Sequence, residues 1–182
     1  MDTLNVSFNP EFLSNAQVCF DLLEKEIVYL KNVNINEHFI PRQMAAYGDS
    51  LAITYSFSGI KTHARSWTPT LYEIKRMVEA KTSYKYNFCL INKYRNGRDS
   101  IGKHKDDEID IIADSPIACV SLGQTRTLKF SKPGCKPVKF NTESGSLLVM
   151  YPPTNKYWFH EIPKEPKKNG IRISLTFRKI RI

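Results

Sequence analysis

The chain has 182 residues, the size of one ordinary domain. Hydrophobic residues make up 41% and aromatics 12%, which excludes a disordered chain. Lysine plus arginine number 27 against 18 acidic residues, a formal charge of +9 that favours an anionic partner, nucleic acid being the usual one.

No apolar run approaches the ~20 residues of a membrane helix, so no membrane association is expected. The start, Met1-Asp2-Thr3-Leu4-Asn5, lacks a basic stretch followed by an apolar run. No secretory leader is expected, and the protein is expected to be intracellular. Cys19, Cys89, Cys119 and Cys135 form no C-x-x-C pair and read as reduced, mostly buried thiols.

Asn9-Pro10-Glu11 reads as a helix start, with Asn9 as cap and Pro10 at the first helical position. Phe12, Ala16, Cys19, Phe20, Leu23 and Ile27 continue at helical spacing. A second helix is expected after Thr68, with Pro69 at its first position and Leu71, Ile74 and Val78 as its apolar stripe. After residue 85 the pattern becomes short alternating runs. Strands are expected over 87–94, 117–122, 127–131, 138–140, 146–151, 158–162 and 171–179. Asn96-Gly97, Gly123-Gln124, Pro133-Gly134, Ser144-Gly145, Pro152-Pro153 and Asn169-Gly170 mark turns between them. Many short strands imply a sandwich, jelly roll or small barrel, and the preceding helices imply a sheet covered on one face.

Three constellations carry chemistry. In an extended segment, residues two apart share a face, so His104 and Asp106 can reach one divalent ion. By itself His104-Lys105-Asp106 reads equally as a solvated loop. His160, in Tyr157-Trp158-Phe159-His160-Glu161, is either a core histidine or the second imidazole of a two-histidine, one-carboxylate site. The third is the run from Arg172 to Arg178. Arg172, Ser174, Thr176 and Arg178 fall on one face, and Ile173, Leu175 and Phe177 on the other. That face is either wet or a polar interior able to hold a carboxylate. Asn92 and Tyr94 share a strand face as well, and Asn96-Gly97 is expected to fold their strand back beside the segment carrying His104.

Together these residues resemble the AlkB family of iron(II)- and 2-oxoglutarate-dependent dioxygenases. The likeness runs through Leu90-Ile91-Asn92-Lys93-Tyr94, Gly97, and Ile101-Gly102-Lys103-His104-Lys105-Asp106-Asp107-Glu108. It continues through Ser115-Pro116-Ile117-Ala118, Ser121-Leu122-Gly123, Gly145 to Met150, and Arg172 to Arg178. Upstream, Pro41-Arg42, Tyr47-Gly48-Asp49, Thr54 to Gly59 and Trp67-Thr68-Pro69 are similar to its eukaryotic-type nuclear DNA-repair branch.

The resemblance implies a mainly β fold with flanking helices (α+β), a double-stranded β-helix or jelly roll with N-terminal helices packed on one sheet. It implies one domain over 1–182. Within it, 1–40 is an N-terminal helical part, 41–84 a base-recognition region and 85–182 the catalytic core. His104, Asp106 and His160 would ligate Fe(II). Asn92, Tyr94, Arg172, Thr176 and Arg178 would hold 2-oxoglutarate, with Arg178 on its far carboxylate. Tyr55, Phe57 and His104 would line a flipped-base pocket, with Tyr55 or Phe57 stacking on a cationic lesion. Glu108 and Asp107 would meet the base's exocyclic amino group, and Arg42 would lie near the nucleic-acid backbone.

The implied reaction consumes molecular oxygen and demethylates 1-methyladenine and 3-methylcytosine in DNA, releasing formaldehyde, succinate and carbon dioxide. Nuclear DNA and a monomeric enzyme are the expected setting. Asn34 falls where the duplex-active branch carries a bulky apolar finger, with Val33, Ile35 and Phe39 nearby. RNA and single-stranded DNA therefore stand beside duplex DNA as substrates. A non-catalytic nucleic-acid-binding module and a dioxygenase acting on protein or a small molecule are the other classes.

Overall fold

The alternation in the second half of the chain is realised as two facing β-sheets. The computed structural model describes residues 3–30, 34–35, 38–57 and 60–181. Its elements are β1 (Val6–Asn9), α1 (Ala16–Glu26), β2 (Asn34–Ile35), β3 (His38–Phe39), β4 (Gln43–Gly48), β5 (Thr54–Phe57), β6 (Ile60–His63), β7 (Arg65–Ser66) and α2 (Pro69–Thr82). They continue with β8 (Phe88–Tyr94), β9 (Ile101–His104), β10 (Ile117–Gly123), β11 (Arg126–Ser131), β12 (Val138–Thr142), β13 (Ser146–Met150), α3 (Thr154–Tyr157), β14 (Phe159–Ile162) and β15 (Arg172–Arg178).

The major sheet has seven strands in the order β1-β13-β10-β15-β8-β4-β7, and the minor sheet four, β12-β11-β14-β9. The two enclose a cavity, giving the jelly roll. β2–β3 and β5–β6 are separate two-stranded hairpins. The major sheet thus takes strands from all three segments, 1–40, 41–84 and 85–182.

Each face of the major sheet has one job. Cys89, Ile91, Ala118, Val120, Leu122, Leu147, Val149, Ile173, Leu175 and Phe177 point outward and are covered by Leu13, Leu23 and Ile27 from the α1 side and by Leu71, Ile74 and Val78 of α2. The alternate residues Leu90, Asn92, Tyr94, Cys119, Leu148, Arg172, Ser174, Thr176 and Arg178 face the cavity. Period-2 alternation therefore separates an apolar core from a polar interior, not a core from water.

The second helix forms as expected, with Pro69 in its first turn and Thr68 Oγ1 accepting from the Leu71 N–H. The first does not start at Asn9. Val6–Asn9 pairs antiparallel with β13, and the Asn9 side chain accepts from the Glu11 N–H in a local turn. Sheet pairing outcompetes the cap there, and α1 begins at Ala16. The expected return of the 87–94 strand beside His104 does not form either. β8 pairs with β15 and β4, whereas β9 pairs with β14 in the other sheet. The Asn96-Gly97 turn carries the chain between sheets. Arg95 brackets it by donating to both Asp99 carboxylate oxygens.

That crossing is locked by Arg126, which is 1% exposed. Its guanidinium donates to the Asn96, Asp99 and Pro163 carbonyls and to Glu165 Oε2. A Cβ on Gly97 would lie 1.8 Å from the Glu165 carbonyl oxygen, so glycine is required at this approach. Arg126→Met should destabilise the fold by about 3–5 kcal/mol in denaturant titration, because it strands a carboxylate and three carbonyls together. Burial pushes Glu165 up, but the Thr127 N–H and Arg126 outweigh it and hold the carboxyl below its ordinary value. Its contribution is complete above the unfolded value of about 4.3 and is lost as pH falls through the lower folded value. Melting temperature should therefore fall less steeply on acidification in Glu165→Gln than in the wild type.

Candidate active site

The two histidines are a cross-strand pair. His160 of β14 lies opposite His104 at the end of β9, with ring centroids 4.3 Å apart. Asp106 follows two residues later in extended chain, and its Oδ1 lies 3.6 Å from Nε2 of each histidine. The three ligand atoms lie within 4.8 Å of one another.

Protonation suits a cation. His104 Nδ1–H donates to the Gly102 carbonyl at 2.8 Å, which leaves its Nε2 as an acceptor. Burial, with His160 adding, pushes His104 down to about 4 against the pull of Asp106, so the ring is neutral near pH 7. Burial alone would raise Asp106, but Arg178 and the histidines hold it far below the usual carboxylate range. Arg178 Nη2 and Nε donate to Asp106 Oδ2 at 2.6 and 3.2 Å. That leaves Oδ1 turned toward Nε2 of both imidazoles. Two imidazoles and one carboxylate on one side of a cavity fit a divalent transition metal with open positions.

Asn155 is a site residue that sequence reasoning missed. Its Oδ1 accepts from the Asp106 N–H, and its Nδ2 donates to the Asp106 carbonyl. The two residues are 49 positions apart, so no local spacing signals the contact.

The cavity holds about 600 Å³. Asn92, Tyr94, Arg172, Thr176 and Arg178 all line it, as do Tyr55, Asp107, Glu108 and Arg42. On β8 and β15, Tyr94 lies opposite Arg172, Asn92 opposite Ser174, and Leu90 opposite Thr176. These rungs run from a far end to the metal end, where Arg178 meets Asp106. Arg178, expected on the far carboxylate, commits its Nε and Nη2 to Asp106, and Arg172 lies at the other end of the strand. Arg172 Nη2 donates to Ser121 Oγ, while its Nε and Nη1, and Arg178 Nη1, have no partner among the described residues. Buried guanidinium donors left open on a cavity are what a dicarboxylate would satisfy.

At the other wall, Tyr55 is fully buried beside Phe88, at 4.9 Å, and under the Arg178 guanidinium, at 5.3 Å. It lines the cavity. Phe57 ends β5, and its side chain lies outside the described residues. Burial pushes Glu108 up, Arg178 opposes, and Asp106 adds to the rise. Asp107 is exposed where it lines the cavity.

Arg42, expected near the nucleic-acid backbone, lines the cavity. It is half-buried, with Nε donating to Asn92 Oδ1 at 2.8 Å and Nη1 to the Ser100 carbonyl at 3.4 Å. The apolar-finger question falls on Val33 and on the side chains of Asn34, Ile35 and Phe39, all outside the described residues. The backbones of β2 and β3 pair there, Asn34 opposite Phe39.

The model of the 2OG-Fe(II) oxygenase superfamily matches residues 15–178. The chain belongs to that superfamily. Among known proteins it is 39% identical over 182 residues to the DNA oxidative demethylase ALKBH2 of Bos taurus, covering 92% of this chain and 65% of that one. It is 33% identical over 184 residues to the alpha-ketoglutarate-dependent dioxygenase alkB homolog 3 of Mus musculus, covering 92% and 63%. The chain thus spans just under two thirds of the length of these two relatives. It is 40% identical over 182 residues to the DNA oxidative demethylase ALKBH2 of Homo sapiens, covering 92% of this chain and 69% of that one, which places it in the AlkB family. The structure of OsALKBH1 superposes with a TM-score of 0.69 at 19% identity, covering 97% of this chain and 99% of that one. That likeness supports the fold. The family's cofactors are Fe(II), 2-oxoglutarate and molecular oxygen, and the triad and open arginines fit the first two. Among the described residues no helix is long and apolar enough to cross a membrane.

Asp106→Ala should lose measurable Mn(II) binding in calorimetric titration while nucleic-acid binding survives. Asn155→Ala should weaken the metal by about 10-fold, the usual effect of removing an outer partner.

Proposed function

We propose that this protein demethylates 1-methyladenine and 3-methylcytosine in DNA as a direct-reversal repair enzyme. One observation carries the reading. A single cavity holds the His104–Asp106–His160 triad, the open Arg172 donors, and the Glu108 and Tyr55 wall beside Arg178. That arrangement offers a place for a dicarboxylate at Arg172 and a second place, at the Glu108 wall, for a planar base.

When bound, Fe(II) with oxygen and 2-oxoglutarate supplies the oxidant that hydroxylates an N-methyl group, 2-oxoglutarate leaving as succinate and carbon dioxide. The chain's own residues orient the partners. Arg172, Tyr94 and Asn92 receive the far carboxylate. Thr176 and the open Nη1 of Arg178 serve the metal-proximal end. Glu108 accepts from the exocyclic amino group, and the exposed Asp107 adds negative potential for a cationic lesion. A base reaches this cavity only when flipped from the stack, which costs a few kcal/mol and least for a lesion that blocks pairing.

A basic surface adjoins the cavity. Lys103 and Lys105 each lie 4.7 Å from the Phe159 ring, and Lys132 and Lys156 lie 5.5 and 5.3 Å from Tyr157. Lys85, Lys93 and Lys129 pair with glutamates, whereas Lys103, Lys105 and Lys156 have no carboxylate partner among the described residues. Unneutralised ammonium groups held beside an active-site mouth suit a phosphodiester chain. One chain supplies every site residue, so a single catalytic domain over 1–182, working as a monomer, suffices. The reading places its work wherever DNA is held, the nucleus in a eukaryotic cell.

The decisive assay mixes protein, Fe(II), ascorbate and 2-oxoglutarate with oligonucleotides carrying either lesion, as single-stranded DNA, duplex DNA and RNA. Formaldehyde release and base analysis should show demethylation of DNA that requires both iron and 2-oxoglutarate. No repair of either lesion in any arm would refute the reading. Turnover on RNA alone would move the substrate. The double variant Lys103→Gln, Lys156→Gln should flatten the salt dependence of single-strand binding by about 1.4 logarithmic units per decade of salt.

A further inference from the structure

The Arg42 side chain enters the cavity beside the residues that receive the cosubstrate. Its Nε–H donates to Asn92 Oδ1 at 2.8 Å. A guanidinium is donor-only, so it can meet only the oxygen end of a primary amide. The amide's other end, Nδ2, carries two N–H donors. With Oδ1 taken by Arg42, that donor end is the one left to the cavity that Asn92 lines. The rotated amide would turn an oxygen toward an incoming carboxylate and set Nδ2 against the guanidinium. Asn92 is 6% exposed, so water offers it little help in either orientation.

The same short segment is tied to both sheets. Pro41 accepts from the Ser100 N–H at 3.0 Å, and Arg42 donates to the Ser100 carbonyl. Ser100 directly precedes β9, which ends on His104. Met44, two residues after Arg42, lies opposite Asn92 in the β4–β8 pairing. Upstream, β3 ends at Phe39, three residues before Arg42.

We propose that Arg42 is a positioning residue for the cosubstrate: it fixes the Asn92 amide with its N–H₂ end toward the far carboxylate of 2-oxoglutarate. The proposal rests on the reading of this cavity as a 2-oxoglutarate site. Arg42 touches neither the metal nor the reacting methyl, and it acts through Asn92.

The test titrates 2-oxoglutarate calorimetrically into Mn(II)-loaded protein without nucleic acid, for the wild type, Arg42→Met, Arg42→Lys, Asn92→Ala and the double variant Arg42→Met/Asn92→Ala. Arg42→Met should bind 2-oxoglutarate about 10-fold more weakly, the usual scale for losing a buried hydrogen bond to a charged group. Arg42→Lys keeps a donor within reach of Oδ1 and should lose less. The double variant should be no weaker than Asn92→Ala, because the effect passes through that amide. Mn(II) affinity and the affinity for an unmodified oligonucleotide should stay unchanged, and KM for 2-oxoglutarate should rise with kcat held within about twofold. Additive losses in the double variant would overturn the route through Asn92. Weaker oligonucleotide binding with unchanged 2-oxoglutarate binding would return Arg42 to a backbone-contact role. If Arg42→Met fails to fold, Arg42→Lys decides: a loss of 2-oxoglutarate affinity that vanishes in Arg42→Lys/Asn92→Ala relative to Asn92→Ala supports the proposal, and one that persists there, or no loss at all, overturns it. Wild-type protein that binds Mn(II) but no 2-oxoglutarate would instead refute the reading of the cavity.

Discussion

The buried pair between Arg178 and Asp106 is the constraint from which the site follows. Arg178 ends β15 in the major sheet, and Asp106 follows β9, at the edge of the minor one. Their contact therefore joins the two sheets at the metal end. Removing either partner would leave a charge in a water-poor interior, which is far more costly than losing an exposed ion pair. The pair also divides the carboxylate's labour. One oxygen is occupied by the guanidinium, so the other is left to face the imidazoles. A metal-binding geometry is thus held ready by an interaction that involves no metal.

The second constraint is the use made of β15. A strand alternating arginine, serine, threonine and arginine with isoleucine, leucine and phenylalanine has the pattern of an edge facing water. Here its flanks are β10 and β8, and both its faces are covered. Residues Ile173, Leu175 and Phe177 anchor it under α1 and α2, which makes the strand rigid. That rigidity passes to the polar side chains on its other face, and so to the spacing between the far-end Arg172 and the metal-end Arg178. Core packing and cosubstrate recognition are consequences of one periodicity.

Much of this was legible in the sequence because it was local. Pro69 after Thr68 and the Leu71, Ile74 and Val78 stripe mark α2, since capping and helical spacing act within one or two turns. Seven of the eight strands after residue 85 were marked by alternation and by turn residues, β9 being the one that was not. His104 and Asp106 are two residues apart in extended chain, so their shared direction follows from backbone geometry. What was not legible was set by contacts between distant segments. Asn9 looks like a cap because nothing nearby reveals that β13 will pair with it. Asn96-Gly97 looks like a hairpin because the chain cannot show that Arg126 and Glu165 will hold that turn as a crossing between sheets. Arg42, Arg172 and Arg178 are equivalent as letters, and only their partners Asn92, Ser121 and Asp106 distinguish their posts. β4 was missed because Met44, Ala45 and Ala46 are buried on both faces and show no alternation.

The charge on the cavity wall gives a reason for the third arginine. Arg42, Lys103, Lys105, Arg172 and Arg178 line it against Asp106, Asp107 and Glu108. The wall is cationic before any metal enters, and a divalent ion makes it more so. A dicarboxylate relieves that excess, whereas a cationic methylated base adds to it. Burial already pushes the Arg42 guanidinium below its ordinary value, with Tyr94 and Asp99 opposing. Such a group is poorly solvated, and its field is weakly screened. Placing it against a neutral amide rather than a carboxylate spends its Nε–H on orienting that amide, whose own donors would then face the cosubstrate. An arginine paired with an acid could not do that.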